Sequence, residues 1–76
     1  MHLEVITPDK TLYEGKAISV KFPGTKGKFE TLNNHAAIIS SLEKGTLSVK
    51  TEEGIQDFEI NGGIVEVLNN KIIVLA

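Results

Sequence analysis

Cysteine is absent from this 76-residue chain. A disulfide framework and a thiolate zinc site are therefore excluded, and packing alone must stabilise the fold. The two histidines lie far apart in the sequence, so no transition-metal ligand set can be recognised, and we predict no metal and no cofactor. The length predicts one domain, residues 1–76, which buries only about 60 to 65% of its unfolded surface.

An excess of positive charge is also missing. Eight basic and ten acidic residues give a net charge of −2, which provides no counterion-release drive toward nucleic acid and no general attraction to anionic lipid. The sequence has no run of eighteen apolar residues and no basic-then-apolar leader. We therefore expect no nucleic-acid partner and no membrane insertion, but a soluble chain of the cytosolic type that could dock onto a membrane complex.

Helix-length amphipathic windows are not found either. Glycine, proline and asparagine instead divide the chain into apolar segments of about five to seven residues, the usual length of strands. These segments are residues 3–7, 11–14, 17–22, 28–32, 38–42, 46–51, 56–60, 64–68 and 71–75. Nine short strands with short connections predict an all-β fold: a flattened antiparallel two-sheet β-sandwich of about nine to ten strands.

Alternation of polar and apolar residues predicts which side chains face the core. Ile18, Val20 and Phe22 are expected to face one way, and Ser19 and Lys21 the other. The same pattern places Phe58 and Ile60 opposite Asp57 and Glu59. Both strands should therefore have one solvated face.

The final fifteen residues are typical of a tight hairpin. Asn69 and Asn70 tolerate the positive φ that a two-residue type I′ turn requires, and they separate two apolar runs. Gly62 and Gly63 begin the first run, where a side chain would crowd the backbone. The last strand, residues 71–75, is apolar on both faces, so it is either central between two layers or covered by another chain.

Two segments suggest chemistry but lack the rest of the required pattern. Residues 23–28 combine glycines and lysines as a phosphate-binding loop does, yet the Walker spacing and the following helix are missing, so we expect a solvated basic turn and no nucleotide. His35 has Ser40 nearby in the sequence, but no acidic orienter or oxyanion hole can be recognised. We expect His35 to be a hydrogen-bonding or interface residue, not a catalytic one.

The acidic residues Glu52, Glu53, Asp57 and Glu59 lie around one predicted hairpin. Paired carboxylates can act as acid and base when burial separates their pKa values, but a turn and an outward strand face favour a solvated surface that also blunts edge pairing.

A second class of function deserves comparison. Small β-sandwich carrier domains attach biotin or lipoate to a hairpin lysine, and the candidates here are Lys10 and Lys71. Neither has the Met-Lys-Met context of biotin carriers, and Asp9-Lys10 only partly resembles the lipoyl motif. A mass adduct on the native protein would identify such a carrier.

The order of short motifs along the chain resembles the epsilon subunit of F-type ATP synthases. The end of the sequence has Gly-Gly, two apolar residues, Glu-Val, an asparagine turn and a closing Ile-Val-Leu-Ala. The start has an apolar strand, then Thr-Pro-Asp, then an aromatic residue before glycine. Pro23-Gly24, Gly27, Phe29, His35-Ala36 and the segment 42–45 also fall in the family's order. Each motif alone is weak, but their joint order and spacing are specific.

The sequence departs from the family in two places. Residues 33–37, Asn-Asn-His-Ala-Ala, replace the usual Pro-Gly-His-Ala-Pro turn, which affects local stiffness and contact details. Family members also continue past the Val-Leu-Ala strand into a helical hairpin, whereas this sequence ends at Ala76. It resembles the β domain alone.

The resemblance implies a non-catalytic central-stalk subunit of a rotary proton-translocating ATP synthase. The β domain of that family links the gamma subunit to the polar loops of the membrane c-ring and supports the coupling of rotation to ATP synthesis, on the cytoplasmic face of the bacterial cell membrane. It further implies c-ring contacts at Lys26, Gly27, Lys28 and Glu30 and gamma contacts at His35 and Ser40. Because the family's ATP response depends on the helical hairpin, we expect no ATP binding and no ATP-relieved inhibition by this chain.

Overall fold

The computed structural model describes residues 1–31 and 37–76, and these residues form nine β-strands and no helix. The strands are β1 (His2–Ile6), β2 (Thr11–Lys16), β3 (Ser19–Gly24), β4 (Gly27–Thr31), β5 (Ile38–Leu42), β6 (Gly45–Thr51), β7 (Gly54–Ile60), β8 (Gly63–Leu68) and β9 (Lys71–Leu75). Each of the nine predicted strands is confirmed, with bounds that differ by at most two residues. Within the described ranges, no helix is long and apolar enough to cross a membrane.

The strands form two layers. One layer has the order β2-β1-β9-β8-β5, and the other has the order β4-β3-β6-β7. The layers are joined where β3 meets β5 at a single residue pair, Gly24 and Leu42. The predicted two-sheet sandwich is therefore confirmed, with a corner at which one sheet runs into the next.

Side chains from both layers form one hydrophobic core. The largest fully buried side chains include Phe22 and Leu47 of the second layer and Leu3 and Ile72 of the first. The core also contains Val5, Ala17, Val20, Leu42, Val49, Ile60, Val65, Val67 and Val74. Alternate positions of β1, β3, β6, β8 and β9 supply most of these residues, as the period of two along a strand requires.

One strand pair differs from the antiparallel prediction. β1 pairs with β9 in parallel, with Leu3 beside Ile72 and Val5 beside Val74. Parallel neighbours need a long connection between them, and here the rest of the chain provides it. Short-range turn signals predict only antiparallel neighbours, so this pairing could not be read from them. As a result, β9 lies between β1 and β8 within one layer. Only its inner face is covered by the second layer, and Leu75 is exposed on the outer face, so β9 does not lie between two layers.

The predicted facing of Ile18 and Ser19 is wrong. Ile18 is exposed and Ser19 is buried, whereas Val20, Lys21 and Phe22 face as predicted. The chain bends between the layers before β3 begins, and the Ile18 amide donates a hydrogen bond to the Lys50 carbonyl there. The alternation therefore does not extend back to Ile18.

The β8–β9 hairpin has the predicted turn. Asn69 and Asn70 have φ values of 50° and 65°, the left-handed pair that a type I′ turn requires. At the other end of β8, Gly63 has a φ of +138°, and a Cβ atom there would lie 2.1 Å from the Leu75 carbonyl oxygen. Only glycine allows β8 and the end of β9 to approach so closely.

Candidate functional site

The predicted c-ring residues form the tip and outer strand of the β3–β4 hairpin. Thr25 and Lys26 form the turn, and Gly27 follows with a φ of +121° and open space around its missing Cβ. Lys26, Lys28 and Glu30 are exposed. The structure thus brings Lys26, Gly27, Lys28 and Glu30 together on one exposed, mostly basic hairpin.

This hairpin is hydrogen-bonded to β5 and to the residue after it, at the corner where the two layers join. The Thr25 amide donates to the Ser41 carbonyl at 3.2 Å, and the two side-chain hydroxyls lie 2.8 Å apart. The Glu43 amide donates to the Pro23 carbonyl at 2.8 Å. A Cβ at Gly24 would meet the Gly27 carbonyl oxygen at 2.6 Å, so the tip can close only with glycine there. The exposed Lys26 and Lys28 therefore lie on a hairpin that is fixed to the neighbouring strand.

A shallow groove runs beside the hairpin. Its floor includes the stacked rings of Phe22 and Phe29, whose centroids are 5.0 Å apart. Lys21, Lys28 and Glu43 are among the charged residues along it. Charges of both signs line the groove, so it does not select an anionic or a cationic ligand.

The two predicted gamma-binding residues are only partly described. His35 lies outside the described residues. Ser40 is half-buried on β5 opposite the buried Val65, and its hydroxyl donates to the Ser41 carbonyl at 3.3 Å. Its side chain therefore belongs to the inner side of β5, whereas Ile39, next to it, points outward and is 76% exposed.

The outer side of β5, β8 and β9 is rich in exposed apolar side chains, which we call the apolar face. Cross-strand pairs connect Ile39 with Glu66, Glu66 with Ile73, and Ile64 with Leu75. The apolar face consists of Ile39, Ile64, Leu68, Ile73 and Leu75, and four of these, all except Ile73, are more than half exposed. A contiguous patch of this kind is typical of a protein-binding surface.

Only the β9 part of the apolar face could be predicted from the sequence. Ile73 and Leu75 were predicted through the two-sided apolar character of the last strand. Ile39 and Ile64 were missed, although each stands beside another apolar residue in its strand. Two adjacent apolar residues in a strand place one of them on the outer face, and this was the available signal.

A polar cluster lies on the outer side of β1 and β2. The His2 Nε2 atom is 3.6 Å from Glu4 Oε1 and 4.0 Å from Glu14 Oε2. These three side chains could offer ligand atoms to a cation, but the Lys71 ammonium also lies 3.7 Å from Glu4 Oε1. The lysine already provides a positive charge to this carboxylate, so the cluster is a surface polar network that contains one lysine–glutamate ion pair.

The predicted acidic surface is exposed as expected. Asp57 and Glu59 point outward from β7 and accept hydrogen bonds from the Ser48 and Thr46 hydroxyls of β6. The two lysines of the carrier alternative differ in position. Lys10 ends the β1–β2 turn, whereas Lys71 begins β9.

Comparison with known proteins identifies the family. The family model described as the ATP synthase, Delta/Epsilon chain, beta-sandwich domain matches residues 1–76. The chain belongs to this family. The predicted resemblance is thereby confirmed, and the family's description as a β-sandwich agrees with the two layers of strands.

Curated relatives of the Delta/Epsilon family are named ATP synthase epsilon chain. The relative from Sulfurimonas denitrificans is 40% identical over 76 residues, which is 99% of this chain and 58% of the relative. The relative from Desulfatibacillum aliphaticivorans is 41% identical over 75 residues, covering 97% of this chain and 53% of the relative. The chain thus spans less than three-fifths of the length of these relatives.

Two solved structures share the fold. One is a chain in the cryo-EM structure of the Euglena gracilis mitochondrial ATP synthase, described as OSCP/F1/c-ring, with a TM-score of 0.90 and 19% identity, covering 97% of this chain and 48% of the other. The second is a chain of the Tetrahymena thermophila mitochondrial ATP synthase central stalk and c-ring, with a TM-score of 0.82 and 18% identity, covering 97% and 60%.

Proposed function

We propose that this chain is the β domain of a non-catalytic central-stalk subunit in a rotary proton-translocating ATP synthase, linking the gamma subunit to the c-ring. The observation that carries the proposal is the match of the Delta/Epsilon β-sandwich family over residues 1–76. The names of the curated relatives support it. The subunit would then be a peripheral part of the complex at the cytoplasmic face of a bacterial membrane.

Two distinct surfaces fit a linking role. The basic β3–β4 hairpin and the apolar face lie on different strands, and both are exposed. A sandwich with an exposed, anchored hairpin tip and a separate apolar face can bind two partners at once. We assign the hairpin residues Lys26, Gly27, Lys28 and Glu30 to the polar loops of the c-ring.

The apolar face is the proposed binding site for the gamma subunit, because stable subunit interfaces bury apolar side chains at their centre. Ile39 is next to Ser40, one of the two predicted gamma residues. We keep His35 and Ser40 as proposed gamma residues, although the Ser40 side chain faces the inner side of β5, and we add Ile39, which points outward beside it, to the contact.

Reconstitution of the ATP synthase with and without the chain tests the function as a whole. We expect ATP-driven proton pumping to depend on the chain, and ATP hydrolysis to show no ATP-relieved inhibition by it. Calorimetric titration of the chain with ATP should be flat. Pumping that is unchanged without the chain would overturn the stalk function, and saturable sub-millimolar ATP binding would overturn the absence of a nucleotide partner.

The c-ring assignment is tested by charge reversal. The double substitution Lys26→Glu and Lys28→Glu should slow association with the c-ring and change its salt dependence, because charges at the rim of an interface act mainly on association. The matched control is Lys10→Glu with Lys16→Glu, which changes the same charge on the exposed lysines of the β1–β2 hairpin. Equal effects of the two pairs would contradict the assignment.

The gamma assignment is tested by placing a charge in the apolar face. Ile39→Asp should weaken binding of the gamma subunit strongly, because the carboxylate would lose its hydration in the contact. Ile55→Asp is the control, since Ile55 is 68% exposed on β7 in the other layer. Retention of gamma binding by Ile39→Asp would remove the apolar face from the contact.

A further inference from the structure

Glu66 is the acidic residue within the apolar face. It lies on β8 with Ile39 as its cross-strand neighbour on β5 and Ile73 as its neighbour on β9. Along β8 the next outward-facing residues are Ile64 and Leu68. Four apolar side chains therefore surround one carboxylate on the same side of the sheet.

No described residue forms an ion pair with Glu66. Lys71 is the one lysine on β5, β8 and β9, and it stands diagonally across from Glu66 in the β8–β9 register. Its ammonium group, however, is 3.7 Å from Glu4, which lies on the same face of the sheet but on β1, across β9 from Glu66. The lysine of these three strands thus pairs with Glu4 and not with Glu66.

A carboxylate in this position is solvated only while the apolar face is open to water. A partner that covers Ile39, Ile64 and Leu68 must also cover Glu66 and remove its hydration. Burial of an unpaired carboxylate is strongly unfavourable, so buried charges in proteins are paired and hydrogen-bonded. Charge complementarity therefore specifies one property of the partner.

We infer that the partner on the apolar face presents a lysine or arginine that pairs with Glu66 inside an otherwise apolar contact. The inference rests on the proposed function, in which the gamma subunit occupies this face. The pair would define the register of the two subunits, because a shift of one residue along β8 would leave both charges unpaired among apolar side chains.

The test measures binding of the gamma subunit of the same ATP synthase to variants of this chain. Glu66→Lys should weaken binding at least about 30-fold, because it buries two like charges, and Glu66→Gln should weaken it about 10-fold. Both losses should persist at high salt, since a desolvated pair is screened little. Glu59→Lys and Glu59→Gln are the controls on an exposed β7 carboxylate, and they should change affinity less than about threefold.

The partner's residue can be found by a double-mutant cycle. Single Lys→Met and Arg→Met substitutions in the gamma subunit are combined with Glu66→Gln. One of them should cause a loss that is not additive with the Glu66 change, and exchange of the two charges should restore binding. The urea midpoint of each variant verifies that the chain remains folded.

The outcomes separate the inference from the function on which it rests. If Ile39→Asp weakens gamma binding and the Glu66 variants do not, the apolar face is still the gamma-binding site, but the lysine or arginine paired with Glu66 is refuted. If neither substitution affects gamma binding, the apolar face is not the gamma-binding site. If Ile39→Asp only dissociates a dimer of this chain, the apolar face binds a second copy. Both the gamma-binding site and the inferred ion pair are then refuted.

Discussion

At the scale of single residues, close backbone contacts determine which positions tolerate no side chain. Gly63 combines a φ of +138° with a neighbouring carbonyl that a Cβ atom would approach to 2.1 Å. Gly54 has a similar φ of +127°, but nothing lies within 4 Å of its missing Cβ. The two glycines therefore separate the effect of backbone conformation from that of steric contact.

Gly63→Ala should lower the free energy of unfolding by about 3 kcal/mol or more, because it adds a clash with the end of β9 to the backbone strain. Gly54→Ala should lower it by only about 1 to 2 kcal/mol, since strain alone acts there. Urea denaturation, compared at equal slope, measures both values. Equal losses would show that the contact with the Leu75 carbonyl has no energetic effect.

Thr31 is a second informative residue. It is fully buried, and its hydroxyl has no hydrogen-bond partner within the described part of the chain. An unsatisfied buried hydroxyl costs about 1 to 3 kcal/mol. Thr31→Val keeps the shape and removes the hydroxyl, so the free energy of unfolding should rise by about 1 kcal/mol.

Thr31→Ser is the matched control, because it keeps the hydroxyl and removes the methyl group. It should lower the stability by about 1 kcal/mol. Thermal or urea unfolding distinguishes the two changes. A loss of stability in Thr31→Val would indicate that the hydroxyl is hydrogen-bonded in the native protein.

At the scale of elements, the β8–β9 hairpin shows how local sequence specifies geometry. Its two-residue turn has the type I′ conformation expected from Asn69 and Asn70. Alanine disfavours the left-handed region by about 1 to 2 kcal/mol per residue. The register of β8 and β9, and with it the facing of the apolar residues, depends on this turn.

Replacement of both Asn69 and Asn70 by alanine should lower the free energy of unfolding by about 2 kcal/mol. Asn70→Gly should leave it within about 0.5 kcal/mol, because Asn-Gly is the preferred type I′ pair. Denaturation midpoints measure both variants. A double alanine variant as stable as the parent chain would contradict the control of the hairpin by its turn.

At the scale of the whole molecule, the same residue type has two different roles. Ile72 is fully buried between the layers, whereas Ile39 is 76% exposed on the apolar face. Burial in the core contributes to folding, whereas an exposed apolar side chain is available for the proposed contact. For a domain of this length, the per-residue average predicts a total stability of about 4 to 11 kcal/mol.

Ile72→Ala should cost about 3 kcal/mol through lost burial and the cavity it leaves, and Ile72→Val about 1 kcal/mol. Ile39→Ser should change the free energy of unfolding by less than about 0.5 kcal/mol. Calorimetric or denaturant unfolding compares the three variants. A large loss of stability in Ile39→Ser would mean that the apolar face packs within this chain.

The sequence by itself determined the strands, the asparagine turn and the family, because these depend on residue spacing and on conformations that few residues adopt. Only the tertiary structure decided that β1 pairs in parallel with β9, that the chain bends at Ile18, and that Ile39, Ile64 and Glu66 share a face. Those features depend on which distant strands become neighbours. The period of two along a strand determines which face each residue lies on. Which residues share a surface depends on the order of the strands, and that order arises because both layers bury their apolar sides in one core.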